Sequence, residues 1–392
     1  MSHQERKIVL HRGIFKKTTS TSEAVFMITG MTIGAGILGL PYAVSRVGIK
    51  IGVLYILVLG LVMLFLNLMI GEIAARTKEP LQLPGLAGKY IGAWAKHVLS
   101  VTVVLSAFGA LLAYIIGVGE ALANMFGGSS YSWSFGFWFV AGFVVWRGLQ
   151  SARVTQKILS IILIVIISCL SFYLLPHADV SHFKYLNFGN IFFPYGIVLF
   201  ALHGAPAIVE AHALLPNKPD QFRRALIIGT LIPIFVYILF VLATVGVGGL
   251  QTTEVATIGL GSRFGSGVLF FGNLFAVLAM GTSFVGLGIA LKETLVWDSG
   301  IKNVWANVSV VFLPMIFFVL GLRSFISILN VVGGVFVGIE SLLMVLMYWR
   351  AKHQKILQPS SYNLHHVWLL VLPVILVFAV MTWYNLFQFF IN

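Results

Sequence analysis

Apolar residues in this chain come in long runs, and short basic segments separate the runs. They lie at roughly 22–46, 51–75, 97–125, 133–148, 156–175, 191–215, 224–249, 267–295, 304–321, 323–349 and 367–391. A helix needs about 20 apolar residues to cross a bilayer core about 30 Å thick. By length and hydropathy the pattern predicts about eleven transmembrane helices. The fourth run is short, and only Gly321-Leu322-Arg323-Ser324 divides the ninth from the tenth. The first run follows a polar, basic tail over residues 1–21. It is too long for a cleaved signal peptide and many spans follow it, so it is read as a retained helix.

Composition agrees with that reading. Hydrophobic residues make up 59% of the chain and charged residues 9%, against about 25% charged in a soluble domain. So little charge cannot cover a surface that faces water, whereas a surface facing lipid need not be polar. The net charge of +13 would suit nucleic acid if it sat on a polar domain. Here it sits between the apolar runs. With the N-terminus in the cytoplasm, alternate segments hold 20 of the 25 Lys and Arg residues on the inside and 5 on the outside. That bias predicts a multi-pass protein of the cytoplasmic membrane whose C-terminus, after an odd number of spans, lies outside. No nucleic-acid partner is expected. Cys169 stands alone, so neither a disulfide framework nor a cysteine metal site is expected. The longest inside loop, 76–96, interleaves apolar and basic residues, as either an interfacial helix or an ordinary loop would.

Two runs are interrupted at mid-membrane depth. The first contains Gly30-Met31-Thr32-Ile33-Gly34-Ala35-Gly36, and the sixth contains His203-Gly204-Ala205-Pro206. Glycine weakens a helix, and proline removes a donor and clashes with the preceding turn. In lipid, the freed backbone groups are tolerated only against protein or a polar cavity. Close helix packing through small residues is one explanation for such glycines. Binding is the other, and the placement favours it. The first and sixth spans each open a group of five, and because five is odd the second group runs inverted. Inverted repeats with discontinuous first helices mark carriers with a midplane site. A half-helix starting near Ala35 would aim N–H groups and its positive end at a ligand carboxylate. The carbonyls before the break, near Gly30 and Ile33, would suit a cation.

The segment GMTIGAGILGLPYA (30–43) resembles the first-helix signature of the amino acid/auxin permease and aromatic amino acid permease families of the amino acid–polyamine–organocation superfamily. Residues 200–246 resemble their sixth and seventh helices, and AMGTSFVGLGIALKETLVWD (279–298) their eighth. The resemblance covers roughly 22–349. It implies an all-α membrane protein of leucine-transporter type: a five-plus-five inverted repeat over 22–175 and 191–349, helices one and six discontinuous, and one extra helix at 367–391. The implied function is secondary active symport of amino acids, with an aromatic or large neutral amino acid as substrate.

The resemblance further implies one sodium ion as the coupling ion, and no other cofactor. Its ligands would be the carbonyls of Gly30, Ile33 and Ala279 and the hydroxyls of Thr282 and Ser283. The alternative is that these hydroxyls only bond back to their own helix. Proton-coupled relatives can place a lysine amine from helix five where the ion would sit. Here helix five has only Lys157, about one and a half turns too early, which favours sodium over protons as coupling ion. The substrate pocket is expected from helices one, three, six, eight and ten, with Thr32, Gly34, Ala35, Gly36, Ser106, Tyr114, Phe200, His203, Gly204 and Phe284 as candidates. The small residues at 34–36 and 204–205 would leave room for a large side chain.

Ionisable groups within spans each need an account, because burying them in lipid is expensive. His203 either touches substrate or caps backbone. Glu72 and Glu120 are expected at solvated span ends, and Glu293 and Asp298 at the cytoplasmic exit of span eight. Glu210 lies about two turns beyond the second break, where a gate or relay could sit. Glu340 within span ten calls for a partner that the sequence does not name. An enzyme is not expected, since no metal-ligand spacing or nucleophile motif lies in the spans. A phosphate-binding loop is also lacking, against a primary pump. A proton-coupled amino acid permease and a ligand-sensing receptor on the same fold are the remaining alternatives.

Overall fold

A computed structural model of the chain describes residues 20–364, apart from 78, 80, 148–151, 217, 298–299 and 355–356, together with residue 378. The expected eleventh span at 367–391 and the tail over 1–19 lie outside the described residues.

The first span is two helices, α1 (Thr21–Thr32) and α2 (Gly36–Val47), which meet at 54°. Next come α3 (Ile49–Ala75), a short helix α4 (Leu83–Tyr90), α5 (Ala93–Phe126), α6 (Ser130–Arg147) and α7 (Ala152–Leu174). The sixth span is again two helices, α8 (Pro194–Leu202) and α9 (Ala205–Leu214). It is followed by α10 (Pro219–Gly248), a short α11 (Ala256–Phe264), α12 (Ser266–Trp297) and α13 (Asn303–Val319). The tenth span starts as α14 (Phe325–Val331), passes through a π-helical stretch at Val332–Val337 and ends as α15 (Gly338–His353).

Seven helical segments are long and apolar enough to cross a bilayer, and the bent pair α1–α2 makes an eighth. The 17-residue α13 is a shorter apolar helix, and α6 is rich in aromatic residues. The side chains show which surface meets lipid. Leu54, Leu57, Val58 and Leu61 form an exposed apolar stripe on α3, at helical spacing. In water such a patch would drive association. Further along the helix, toward its C-terminal end, α3 buries Asn67 and Glu72. Without a hydrophobic drive between helices in lipid, close packing of small residues holds spans together. Gly60 and Gly71 illustrate this: a Cβ at either would lie 2.7 Å from Ile234 or 2.3 Å from Leu226, both on α10.

Three regions depart from the sequence expectation. Residues 83–90 of the inside loop do form a helix, but Leu83, Leu86, Ala87 and Tyr90 are buried, so it packs on protein. The π-helical stretch in span ten was not foreseen. There Gly333 lies so close to the Gly196 carbonyl of α8 that a Cβ would sit 1.8 Å from it. Finally, Glu72 is not at a solvated end: it is fully buried. It binds Arg76 at 2.5 Å and Lys352 at 2.6 Å, and accepts from the Tyr348 hydroxyl at 2.9 Å and the Leu364 N–H at 3.1 Å. A buried carboxylate is tolerated when paired and fully hydrogen-bonded, and this one ties α3 to α15 and the strand of chain that follows it.

Candidate functional site

The two breaks meet inside the bundle. In the first, helical bonding stops at Thr32 and restarts at Gly36. The start of α2 has no side-chain cap, its N-cap being Ala35, so its first N–H groups stay available to a ligand. In the second, His203 and Gly204 are non-helical, and Pro206 enters α9 in its first turn, where a missing N–H removes nothing. This second break is the gentler one, since Pro194–Leu214 still passes as one span.

The breaks interlock through their glycines. A Cβ on Gly36 would lie 2.4 Å from the Ala201 Cα, and one on Gly204 would lie 2.4 Å from the Thr32 Oγ1. The expectation that these small residues leave room for a ligand is therefore only partly met: Gly36 and Gly204 are filled against the opposite break. Gly34 faces the third and eighth spans instead, with the Tyr114 hydroxyl and the Ser283 Oγ each 3.3 Å from where its Cβ would be.

Beside the breaks lies a cavity of about 430 Å³, within the size range of small-molecule sites. Gly30, Thr32, Gly34 and Gly36 line it from the first span, and Phe200, His203 and Gly204 from the sixth. Ser106 and Tyr114 of α5 also line it, as do Thr282 and Ser283 of α12, two of the residues expected to bind sodium. Ala35, Ile33, Ala279 and Phe284 do not line it; all four are buried. Phe284 packs edge-on against Phe137 at a centroid distance of 5.3 Å. At its far end the cavity runs between the start of α7, at Leu159 and Ser160, and the end of α12, at Ala290 and Thr294.

For the proposed cation ligands, the Thr282 hydroxyl donates back to the Leu278 carbonyl at 2.8 Å, with the Ala279 carbonyl at 3.2 Å. Back-bonding uses the hydroxyl proton and leaves the oxygen lone pairs available, so it is compatible with either reading of this residue. The Lys157 side chain and Asp298 lie outside the described residues.

The sequence could not name a partner for Glu340, and the structure does. Its carboxylate is fully buried in the cavity wall. Ser106 donates to Oε1 at 2.8 Å, and Oε2 lies 3.3 Å from His203 Nε2. That second contact is misaligned for a hydrogen bond, which leaves Glu340 Oε2 without a hydrogen-bond partner, and His203 Nδ1, the other ring nitrogen, also has none. Among the described lining residues there is no Lys or Arg. A second unforeseen residue is Tyr237 of α10. Fully buried, it places its hydroxyl 2.8 Å from the Thr32 carbonyl and 2.9 Å from the Ala201 carbonyl. Nothing in the local sequence marks it, because it lies 205 and 36 residues from its partners.

Two interrupted helices that turn backbone ends toward a buried cavity, within a multi-pass bundle, define a membrane carrier for small solutes. The profile of the tryptophan/tyrosine permease family matches residues 17–387, and the chain belongs to that family. It is an amino acid transporter and not an enzyme. The chain is 28% identical over 300 residues to "Tyrosine-specific transport system 2" of Haemophilus influenzae, covering 70% of this chain and 73% of that one. It is 22% identical over 331 residues to "Glutamine transporter 2" of Aliivibrio fischeri, covering 80% and 84%. Among solved structures, MhsT in complex with L-phenylalanine superposes with a TM-score of 0.66 at 15% identity, covering 95% of this chain and 99% of that one. The fold is thus of the leucine-transporter type, as the sequence resemblance implied.

Proposed function

We propose that the chain is a secondary active symporter that carries aromatic or large neutral amino acids through the cavity between the two breaks. The observation that carries this reading is the meeting of an uncapped helix start at Gly36 with the Tyr114 hydroxyl and the Ser283 Oγ around Gly34. There the substrate carboxylate gains backbone N–H groups and the positive end of α2 without a buried arginine. The rest of the cavity is largely apolar and long enough for a ring. The names of the relatives, tyrosine and glutamine transporters, support a neutral amino acid. Residues 22–175 and 191–349 act as the two repeat units.

The coupling ion on this reading is sodium, held by the carbonyls of Gly30, Ile33 and Ala279 and the hydroxyls of Thr282 and Ser283. Support comes from Gly30, Thr282 and Ser283 all lining the same cavity. A specific observation favours a second reading, in which a proton is the coupling ion. Glu340 is a buried carboxyl group in the cavity wall with His203 and Ser106 beside it, and carboxyl groups placed inside a membrane bundle serve as proton relays. The N-terminus is cytoplasmic on the Lys and Arg bias, so the end of the cavity lined by Leu159 and Thr294 lies toward the cytoplasm.

Proteoliposome counterflow with a panel of amino acids tests carriage. Uptake that never exceeds binding stoichiometry sinks the transporter reading and leaves a receptor. Replacing sodium with potassium, with and without a pH gradient, tests the ion. Thr282→Ala with Ser283→Ala is expected to abolish sodium-dependent uptake while expression is kept. Uptake indifferent to sodium and lost when the pH gradient is collapsed would replace sodium with the proton at Glu340.

A further inference from the structure

The cavity wall carries polar groups at two levels of α5. At one, the Tyr114 hydroxyl stands with the Ser283 Oγ beside Gly34. At the other, Ser106 holds the Glu340 carboxyl group, which faces His203. Ser106, Ala110 and Tyr114 follow one another at four-residue steps, so they share a helix face, and all three line the cavity. From Ser106 to Tyr114 the helix rises about 12 Å. Side chains on a helix lean toward its N-terminus, so the Tyr114 side chain leans toward Ser106 and shortens that gap. Ala110, midway, is small. Val103 and Ala107, beside Ser106 on α5, and Val337, three residues before Glu340, add apolar wall.

At the Glu340 level the polar atoms are not all matched. Ser106 donates to Oε1 at 2.8 Å, while Oε2 and His203 Nδ1 have no hydrogen-bond partner. Unpaired polar atoms in a buried site are unfavourable. No Lys or Arg among the described lining residues competes for the carboxyl group. A hydrocarbon side chain entering the cavity would leave this deficit in place, whereas one with a donor at its tip would relieve it. A hydroxyl suits the level better than an indole N–H, because a hydroxyl both donates and accepts and an indole N–H only donates.

We propose that Glu340 is a specificity-determining residue: it accepts a hydrogen bond from a phenol hydroxyl at the far tip of the substrate's side chain. Ser106 anchors the carboxyl group through Oε1. The last torsion of a glutamate side chain is soft, so Oε2 adjusts to the incoming hydroxyl at little cost. The proposal rests on the reading that an aromatic amino acid binds with its carboxylate at the start of α2. That pose lays the ring along Ala110 and brings its para position to the level of Ser106.

The test is competition with counterflow of a radiolabelled amino acid in proteoliposomes, using L-tyrosine and 4-fluoro-L-phenylalanine. The two differ at the para position, where fluorine has no proton to donate. In the wild type, tyrosine is expected to compete at least about tenfold better, as in sites built to bind a substrate hydroxyl. Glu340→Leu is expected to bring the ratio to about one, and Glu340→Gln, which keeps an acceptor oxygen, to preserve most of it. A wild-type ratio near one, or an unchanged ratio in Glu340→Leu, would overturn the proposal. If Glu340→Leu does not fold, Glu340→Asp withdraws the carboxyl group by one methylene and keeps its charge, and an unchanged ratio there overturns it as well. Counterflow of other amino acids without any competition by tyrosine would overturn the proposal and leave the transporter reading standing. Lack of counterflow with any amino acid in the wild type would instead sink the underlying functional reading.

Discussion

The sharpest consequence of the interlocked breaks concerns Gly204. Its φ is −128°, open to any L-residue, so Gly204→Ala introduces no backbone strain. What it introduces is a methyl group 2.4 Å from the Thr32 Oγ1; the next nearest atom, the Thr32 Cβ, is 3.7 Å away. The whole conflict is therefore with one oxygen atom. To escape, Thr32 must rotate and give up its 2.8 Å bond to the Ile28 carbonyl, a loss of about 0.5–1.5 kcal/mol. Otherwise the breaks must separate, at about 1–3 kcal/mol for overpacking. Thr32→Ala by itself gives up the same hydrogen bond, about 0.5–1.5 kcal/mol, and removes the obstructing atom. The double variant should therefore be at least as stable as Gly204→Ala alone, with a coupling energy of about 1–2 kcal/mol. Thermal melting of the four proteins in detergent, with substrate-induced stabilisation as a second reading, measures this. Strictly additive shifts would show that the two breaks do not touch, and the cavity they bound would lose its foundation.

Two further outcomes follow from the cavity wall. Glu340→Gln is expected to keep substrate exchange while abolishing any uptake driven by a pH gradient; gradient-driven uptake at the wild-type level would remove Glu340 from proton coupling. Phe284→Ala is expected to lower stability by about 3–5 kcal/mol through loss of its packing on Phe137, with the ranking of transported amino acids unchanged. A changed ranking would return Phe284 to the substrate pocket.

Much of the architecture was legible because lipid imposes a simple rule on the chain. Every crossing must satisfy its own backbone, so spans appear as long apolar runs, and the breaks at 33–35 and 203–204 stood out as glycine and proline within them. Eight of the ten pocket candidates, Thr32, Gly34, Gly36, Ser106, Tyr114, Phe200, His203 and Gly204, line the cavity, and five of these lie at or beside the two breaks. The inward-facing side of Phe284 was misread, because a one-residue rotation on α12 separates the cavity wall, at Ser283, from the packing face against α6. Glu72 was misread because its partners, Lys352, Tyr348 and Leu364, are more than 270 residues away, and proximity to a span end says nothing about burial.

Sequence alone determined that the chain lives in a membrane, how its spans are divided, and where its backbone is interrupted. These depend on composition and local chain stiffness, which each segment carries by itself. Only the tertiary structure decided what the interruptions face. Gly36 rests on Ala201, Gly204 on Thr32, Tyr237 reaches both half-helix ends, and His203 finds Glu340. A hydrogen bond or a close contact depends on distances of a few ångströms between residues far apart in the chain, and packing of the helices is what sets those distances.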